Sequence, residues 1–165
     1  MDPVTVYLGL GSNLGHREHN LRRAIRILRR YVRLRRASSV YETAPWGFGQ
    51  QPAFLNCVLD VTATVAPSQL LSSVKSLERE MGRQPGLRYG PRLIDVDILF
   101  YGGQIIEYPE LHIPHPRLHQ RAFVLVPLAE LAPELLHPTS KLTVAQLSVQ
   151  VTDREGVKPW GSPLI

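Results

Sequence analysis

One cysteine, Cys57, stands in 165 residues. A disulfide within the chain is therefore excluded, and no zinc site can be assembled from paired cysteines. Cys57 falls in an apolar strand pattern and reads as a small core residue, which fits a reducing compartment. Long apolar runs are missing too. The longest candidate, 123–136, is interrupted by Pro127, Glu130, Pro133 and Glu134, so no membrane-spanning helix is expected. Met1-Asp2-Pro3 lacks the basic-then-apolar pattern of a signal peptide, and a cytoplasmic location is the expectation. Lysine is scarce. Lys75, Lys141 and Lys158 all lie outside glycine-rich turns, and no G-x-x-x-x-G-K-[ST] loop is present. The H-R-D and D-F-G elements of protein kinases are absent as well. Acids are few beside the first helix: nine arginines fall between Arg17 and Arg36, with Glu18 the one acid among them.

What remains is the composition of a globular protein, 44% apolar and 20% charged. The length suits one domain, 1–165, able to bury roughly 70% of its unfolded surface without a metal or disulfide. The formal charge of +5 and a pI near 9.7 imply an anionic partner without saying which. The arginine-rich first helix is either a solvated face or an RNA-binding one, and no RNP-type aromatic motif supports the latter.

The densest chemistry lies in Arg88-Tyr-Gly-Pro-Arg-Leu-Ile-Asp-Val-Asp-Ile-Leu-Phe100. From Leu93 the run reads as a strand. Ile94, Val96 and Ile98 take one face, and Asp95 and Asp97 share the other. Two carboxylates about 7 Å apart repel by roughly 2 kcal/mol at an effective dielectric of about 20. A hard divalent cation removes that repulsion, and Mg²⁺ typically joins one or two carboxylates to phosphate oxygens. Arg88 and Arg92 flank the pair with planar forks that suit phosphate. The competing reading is a solvated strand face whose aspartates pair with nearby arginines.

The rest of the chain arranges itself around that strand. Val4, Val6, Leu8 and Leu10 alternate as a first strand. Gly9-Leu-Gly-Ser-Asn-Leu-Gly15 fails the dinucleotide pattern by one position, and its glycines read as a tight strand-to-helix turn. Leu21, Ala24, Ile25 and Leu28 predict an amphipathic helix over 17–32. A strand over 33–42 leads into a Pro- and Gly-rich loop that carries Trp46 and Phe48, placed either to grip a flat ligand or to fold onto the core. Leu55 to Ala63 alternates as an antiparallel strand with one face less apolar. A helix from Pro67 is capped by Gly82. This order is the ferredoxin-like βαββαβ arrangement of an α+β fold, with an antiparallel sheet. A hairpin after Gly102-Gly103 and short helices over 127–131 and 142–149 complete it, and 152–165 reads as a loose tail. His112, His115 and His119 have a zinc-like spacing, but Pro114 and Pro116 break any shared helical face.

Six stretches, in order, resemble the 6-hydroxymethyl-7,8-dihydropterin pyrophosphokinases of folate biosynthesis. They are Leu10-Gly-Ser-Asn13, Tyr41-Glu-Thr-Ala-Pro45, Gln51-Pro-Ala-Phe-Leu-Asn56, the Arg88 to Leu99 run, Pro114-His-Pro-Arg117 and Arg121-Ala-Phe123. The resemblance covers roughly residues 4–150. It implies transfer of pyrophosphate from ATP to the pterin's hydroxymethyl group, releasing AMP. It implies two Mg²⁺ ions on Asp95 and Asp97, and a catalytic set of Arg83, Arg92 and Asp97. Pterin contacts carry over to Thr43, Ala44, Trp46, Phe54, Asn56, Asp95 and Phe123. ATP contacts carry over to Glu78, Arg83, Arg88, Tyr89, Arg92, Ile98, His115 and Arg121. A monomer acting on ATP and the pterin, with neither membrane nor nucleic acid as partner, is the expectation. The chain departs from the family at Pro85 and Gly86, where the basic loop is usually longer with a further arginine, at Tyr89, where tryptophan is common, and at Pro116.

Overall fold

A computed structural model describes residues 1–44, 51–82 and 92–165. Val4–Ser12 forms β1, Arg17–Leu28 α1, Arg33–Ala37 β2, Val40–Thr43 β3 and Phe54–Ala63 β4. Pro67–Glu80 forms α2, Asp95–Tyr101 β5, Ile106–Tyr108 β6 and Leu111–Ile113 β7. Ala122–Leu131 forms α3, Val144–Gln150 α4 and Val157–Gly161 β8. Among the described residues one antiparallel sheet runs β5-β1-β4-β3-β8, with β2 also beside β4. Taking β2 and β3 as one broken strand gives the expected βαββαβ core. The break falls at Ser38, fully buried, whose N–H donates to the Val58 carbonyl while its hydroxyl accepts from the Val58 N–H. One serine thus takes both hydrogen bonds of the position and turns the strand without leaving Val58 unsatisfied.

Side-chain alternation divides the core in two. Leu55, Cys57, Leu59 and Val61 of β4 join Val6, Leu8 and Leu10 of β1 under Leu21, Ile25 and Leu28 of α1 and Leu70, Val74 and Leu77 of α2. Val58 points the other way, to Tyr7, Leu99 and Phe100 beneath Val124, Leu125 and Leu128 of α3 and Val144 and Leu147 of α4. The less apolar face of β4 is consequently covered along its middle. Its polar residue there, Asp60, is 1% exposed and is held by Arg36 Nε and Nη2 at 3.0 and 2.9 Å. Both bonds fall on Oδ2, while Oδ1 has the Arg35 guanidinium at 3.7 Å, so the carboxylate is charge-paired with two arginines on the sheet.

Four expectations are corrected. The helix over 17–32 ends at Leu28, where Arg29 to Val32 form a turn. Gly9 and Gly11 lie inside β1 rather than in the turn after it; Gly15, at φ +64°, makes that turn. The helix expected over 127–131 starts at Ala122 and contains Pro127. Finally, the segment read as a loose tail holds β8, paired with β3 through Val40↔Gly161, Tyr41↔Pro159, Glu42↔Lys158 and Thr43↔Val157. Proline and glycine hid it, because a proline reads against a strand except at a sheet edge, and an edge is where β8 lies.

Candidate active site

The uncovered end of the second face is a cleft lined by Gly9, Gly11, Thr43, Ala44, Phe54, Asn56, Arg92, Asp95, Asp97, Arg121 and Phe123, with Leu10, Cys57, Val58 and Val124 behind them. Strand geometry accounts for the floor. β1 lies between β4 and β5, with Gly11 opposite both Asn56 and Asp95, and Gly9 opposite Asp97. A Cβ on Gly11 would lie 2.9 Å from Asn56 Oδ1 and 3.4 Å from the Phe54 ring. Here the absent side chain leaves a flat strip between an aromatic and a carboxylate, a use of glycine by close approach.

The walls are set by hydrogen bonds. Asn56, 6% exposed, donates from Nδ2 to Thr43 Oγ1 at 2.7 Å. That contact turns the amide so that Oδ1 faces Gly11. Phe123 stands at the start of α3, and the Arg121 guanidinium sits 5.5 Å from the centre of its ring. Phe54 opens β4. Both phenylalanines line the cleft and are half-buried, so each has a face free to stack.

Asp97 faces Arg121 Nη1 at 3.8 Å and His115 Nε2 at 4.0 Å, with 31% of its side chain open to the cleft. Burial first, then the Asp95 carboxylate and more weakly Glu78, push its pKa up against the pull of Arg121 and Lys75, to about 7. A carboxyl pair that cannot comfortably hold both charges calls for a proton or a cation. His115 behaves oppositely. Burial and the nearby Arg121 and Arg117 lower its pKa to about 4, so the ring is neutral near pH 7. Its Nδ1 accepts the Arg117 N–H at 3.3 Å, which leaves the proton on Nε2, facing Asp97. His115 is therefore placed to donate a hydrogen bond to an anion, not to supply charge.

Two expected site residues point elsewhere. Glu78 is 2% exposed on α2; it accepts the Val96 N–H at 3.1 Å and faces Lys75 Nζ at 3.5 Å. Its carboxylate fixes the start of β5 from behind. The Ile98 side chain lies in the core between sheet and helices, on the opposite face from the carboxylates. Trp46, Arg83, Arg88 and Tyr89 lie outside the described residues, as does Phe48.

Asn13, at the end of the Leu10-Gly-Ser-Asn13 stretch, has a structural part that the sequence does not announce. It is 1% exposed and ties together three stretches of chain. Its Nδ2 donates to Gln51 Oε1 and to the Pro52 carbonyl, both at 3.1 Å, while Oδ1 accepts the Arg92 N–H at 2.7 Å. Its own N–H donates to the Arg92 carbonyl at 2.9 Å. Asn13→Ala removes three part-buried side-chain hydrogen bonds that join these stretches and should destabilise the fold by roughly 1–3 kcal/mol. A urea titration with an unchanged midpoint would contradict this.

A flat apolar slot that ends in paired carboxylates and guanidinium groups serves an enzyme that brings a planar substrate up to a phosphate, and this is the class that fold and cleft define. Comparison with known proteins narrows it. The family model described as 7,8-dihydro-6-hydroxymethylpterin-pyrophosphokinase (HPPK) matches residues 7–133. A 2-amino-4-hydroxy-6-hydroxymethyldihydropteridine pyrophosphokinase of Aquifex aeolicus is 43% identical over 135 residues, covering 82% of this chain and 84% of that protein. The Bacillus subtilis protein of the same name is 40% identical, over 93% of this chain and 89% of its own. A mitochondrial folate synthesis bifunctional protein of Arabidopsis thaliana is 48% identical over 127 residues, of which the match spans 23% of the larger chain. Among solved structures, Plasmodium falciparum HPPK-DHPS with pteroate superposes with a TM-score of 0.76 at 17% identity, over 90% of this chain and 42% of that one, which speaks for the fold. The chain belongs to the HPPK family.

Membership bears on the arginine-rich helix. No finding supports the RNA-binding alternative, and five of the nine arginines have acidic partners inside the fold: Arg17 with Glu42, Arg22 with Glu18, Arg30 with Glu80, and Arg35 and Arg36 with Asp60.

Proposed function

We propose that the cleft holds 6-hydroxymethyl-7,8-dihydropterin in its apolar part and the ATP triphosphate at its charged rim. As an HPPK the chain is a pyrophosphokinase of folate synthesis, transferring a pyrophosphoryl group from ATP to the hydroxymethyl group of the pterin. The observation that carries the placement is the coincidence, in one cleft, of Phe54, Phe123 and Asn56 with Asp95 and Asp97. The two phenylalanines enclose a flat ring. The Asn56 amide, Thr43 and Ala44 meet its edge, and Asp95 stands where the hydroxymethyl group emerges. An amide can donate to and accept from such an edge at once.

The carboxylate pair fits a divalent metal. Its members share one strand face, and burial together with the neighbouring Asp95 carboxylate raises the Asp97 pKa to about 7, a repulsion that a divalent cation would relieve. Asp95 and Asp97 would hold two Mg²⁺ ions together with the triphosphate; bound there, the metal supplies neutralisation of charge on the phosphate oxygens. The protein's own groups do the rest. Arg92 and Arg121 present guanidinium forks to the phosphates, and neutral His115 donates from Nε2. The hydroxymethyl oxygen attacks the β-phosphorus, the bond between that phosphorus and the α-phosphate's bridging oxygen breaks, AMP leaves, and the hydroxyl proton is released to solvent. Catalysis here is positioning and electrostatics, which a slot and a charged rim can provide. Arg83 joins the catalytic set and Arg88 and Tyr89 the nucleotide contacts in this reading, with Trp46 beside the pterin; Glu78 serves the site by holding the start of β5, and Ile98 could meet the nucleotide only through its backbone. Among the described residues no helix is long and apolar enough to cross a membrane. We place the activity in the cytoplasm, in a monomer.

AMP release that requires both the pterin and Mg²⁺ tests the reading; AMP release without the pterin would overturn it. Arg92→Ala should slow turnover by on the order of a hundredfold while leaving pterin affinity within a few-fold, as expected for a donor aimed at developing charge. A rate equal to that of the unaltered chain would remove Arg92 from the phosphate site.

A further inference from the structure

The strand β8 lies beyond residue 133, where the family match ends, and it pairs directly with the strand that carries Thr43. β3 has four residues and would otherwise be a sheet edge. Its Thr43 stands opposite Val157 on one side and Phe54 on the other, and the Thr43 hydroxyl orients Asn56. A second link runs through Arg17. The Trp160 ring lies 5.0 Å from the Arg17 guanidinium carbon. Arg17 Nη1 donates to Glu42 Oε2 and to the Ala53 carbonyl, both at 2.8 Å. Glu42 precedes Thr43, and Ala53 precedes Phe54. The C-terminal strand therefore touches both walls of the slot at one remove: the edge-binding wall through the ladder, and the aromatic wall through a guanidinium that Trp160 covers.

We propose that β8, with Trp160 over Arg17, is a positioning element for the pterin slot, setting the placement of Thr43, Asn56 and Phe54 while leaving the nucleotide side alone. The inference rests on the reading of this cleft as the pterin site. The groups at the charged rim hang on other elements: Asp95 and Asp97 on β5, His115 after β7, and Arg121 before α3. Loosening β3 should therefore separate the two ligands.

The test is calorimetric titration of hydroxymethyldihydropterin, in the presence of a non-hydrolysable Mg-ATP analogue, and of that analogue alone. The proteins are the unaltered chain, Trp160→Ala, Trp160→Phe, and a chain ending at Gly156. Losing the orientation of one buried amide should weaken the pterin roughly three- to tenfold in Trp160→Ala and at least as much in the shortened chain. Analogue affinity should stay within about twofold, and Trp160→Phe, which keeps a ring over the guanidinium, should recover most of the loss. Equal losses for both ligands, or unchanged pterin affinity in Trp160→Ala, would overturn the proposal. If the shortened chain does not fold, Trp160→Ala and its phenylalanine rescue decide alone. An unaltered chain that binds pterin and releases AMP while Trp160→Ala matches it sinks this inference only; an unaltered chain that does neither sinks the reading of the site and this inference with it.

Discussion

Asp97→Ala should reduce AMP release by on the order of a thousandfold, the scale seen when a group facing developing charge is removed from a preorganised site. The same carboxylate should cost the empty protein stability. Its pKa stands raised from 3.8 to about 7, so between those values the folded chain keeps a proton that the unfolded chain has lost. Stability therefore falls as pH rises through that window and stays lower above it. Asp97→Asn removes the titration and keeps the shape. Without ligands this variant should melt higher than the unaltered chain at pH 8, with the gap closing near pH 4; each kcal/mol is worth roughly 2–4 °C at this size. With Mg-ATP added at pH 8 the order should reverse, because only the unaltered chain gains the metal's stabilisation. Near-normal AMP release by Asp97→Ala, or an unchanged melting order on adding Mg-ATP, would remove Asp97 from the metal site. A residue that destabilises the resting protein and is needed by the working one is the expected pattern for a site built around an absent charge.

Periodicity in the chain carried most of the fold. The alternation in β1, β4 and β5 and the helical spacing in α1 and α2 are dictated by a core between sheet and helices, and they gave the βαββαβ succession of elements. What periodicity could not carry is instructive. β8 contains Pro159 and ends in Gly161; it is held by pairing at an edge and by Trp160 on Arg17, neither of which leaves an apolar repeat. α3 is apolar nearly all round, since it packs on the sheet and on α4, so it offered no amphipathic stripe and Pro127 set its start too late. Ser38 breaks a strand with its side chain, a choice local composition does not announce.

For the cleft, Asp95 and Asp97 were readable because two charges in an apolar alternation need a reason. Phe54, Asn56 and Phe123 come from β4 and α3, so no local pattern groups them; the family resemblance did, and the fold brings them to one cleft. Gly11 and Asn13 escaped for a related reason. A glycine in the middle of a strand looks like a turn until the asparagine and phenylalanine crowding it are known. An asparagine after a strand looks like a helix start until Gln51, Pro52 and Arg92 are seen to converge on it. Glu78 shows the reverse: a carboxylate assigned to the nucleotide by resemblance is buried on α2 and accepts the Val96 N–H.

Phe123→Ala should weaken the pterin by roughly ten- to a hundredfold and the Mg-ATP analogue far less. Stacking of a heterocycle on an aromatic side chain is worth about 1–3 kcal/mol, and each 1.4 kcal/mol is a factor of ten. The residue is well chosen for the test. It is half-buried at the first turn of α3, packed against the core of Val124, Leu125 and Leu128 without being one of its buried members, so truncation removes a wall of the slot more than a piece of the core. One secondary effect is expected. Arg121 sits 5.5 Å over the same ring and faces Asp97 at 3.8 Å, so losing the ring frees a guanidinium that helps to hold the charged rim. A modest fall in the rate at saturating pterin should therefore accompany the loss of affinity, and Phe123→Leu, which keeps bulk without a ring, should restore that rate better than it restores pterin binding. Equal losses of pterin and nucleotide affinity in Phe123→Ala would mean that the ring serves α3 packing, and the slot would have to be closed by another residue.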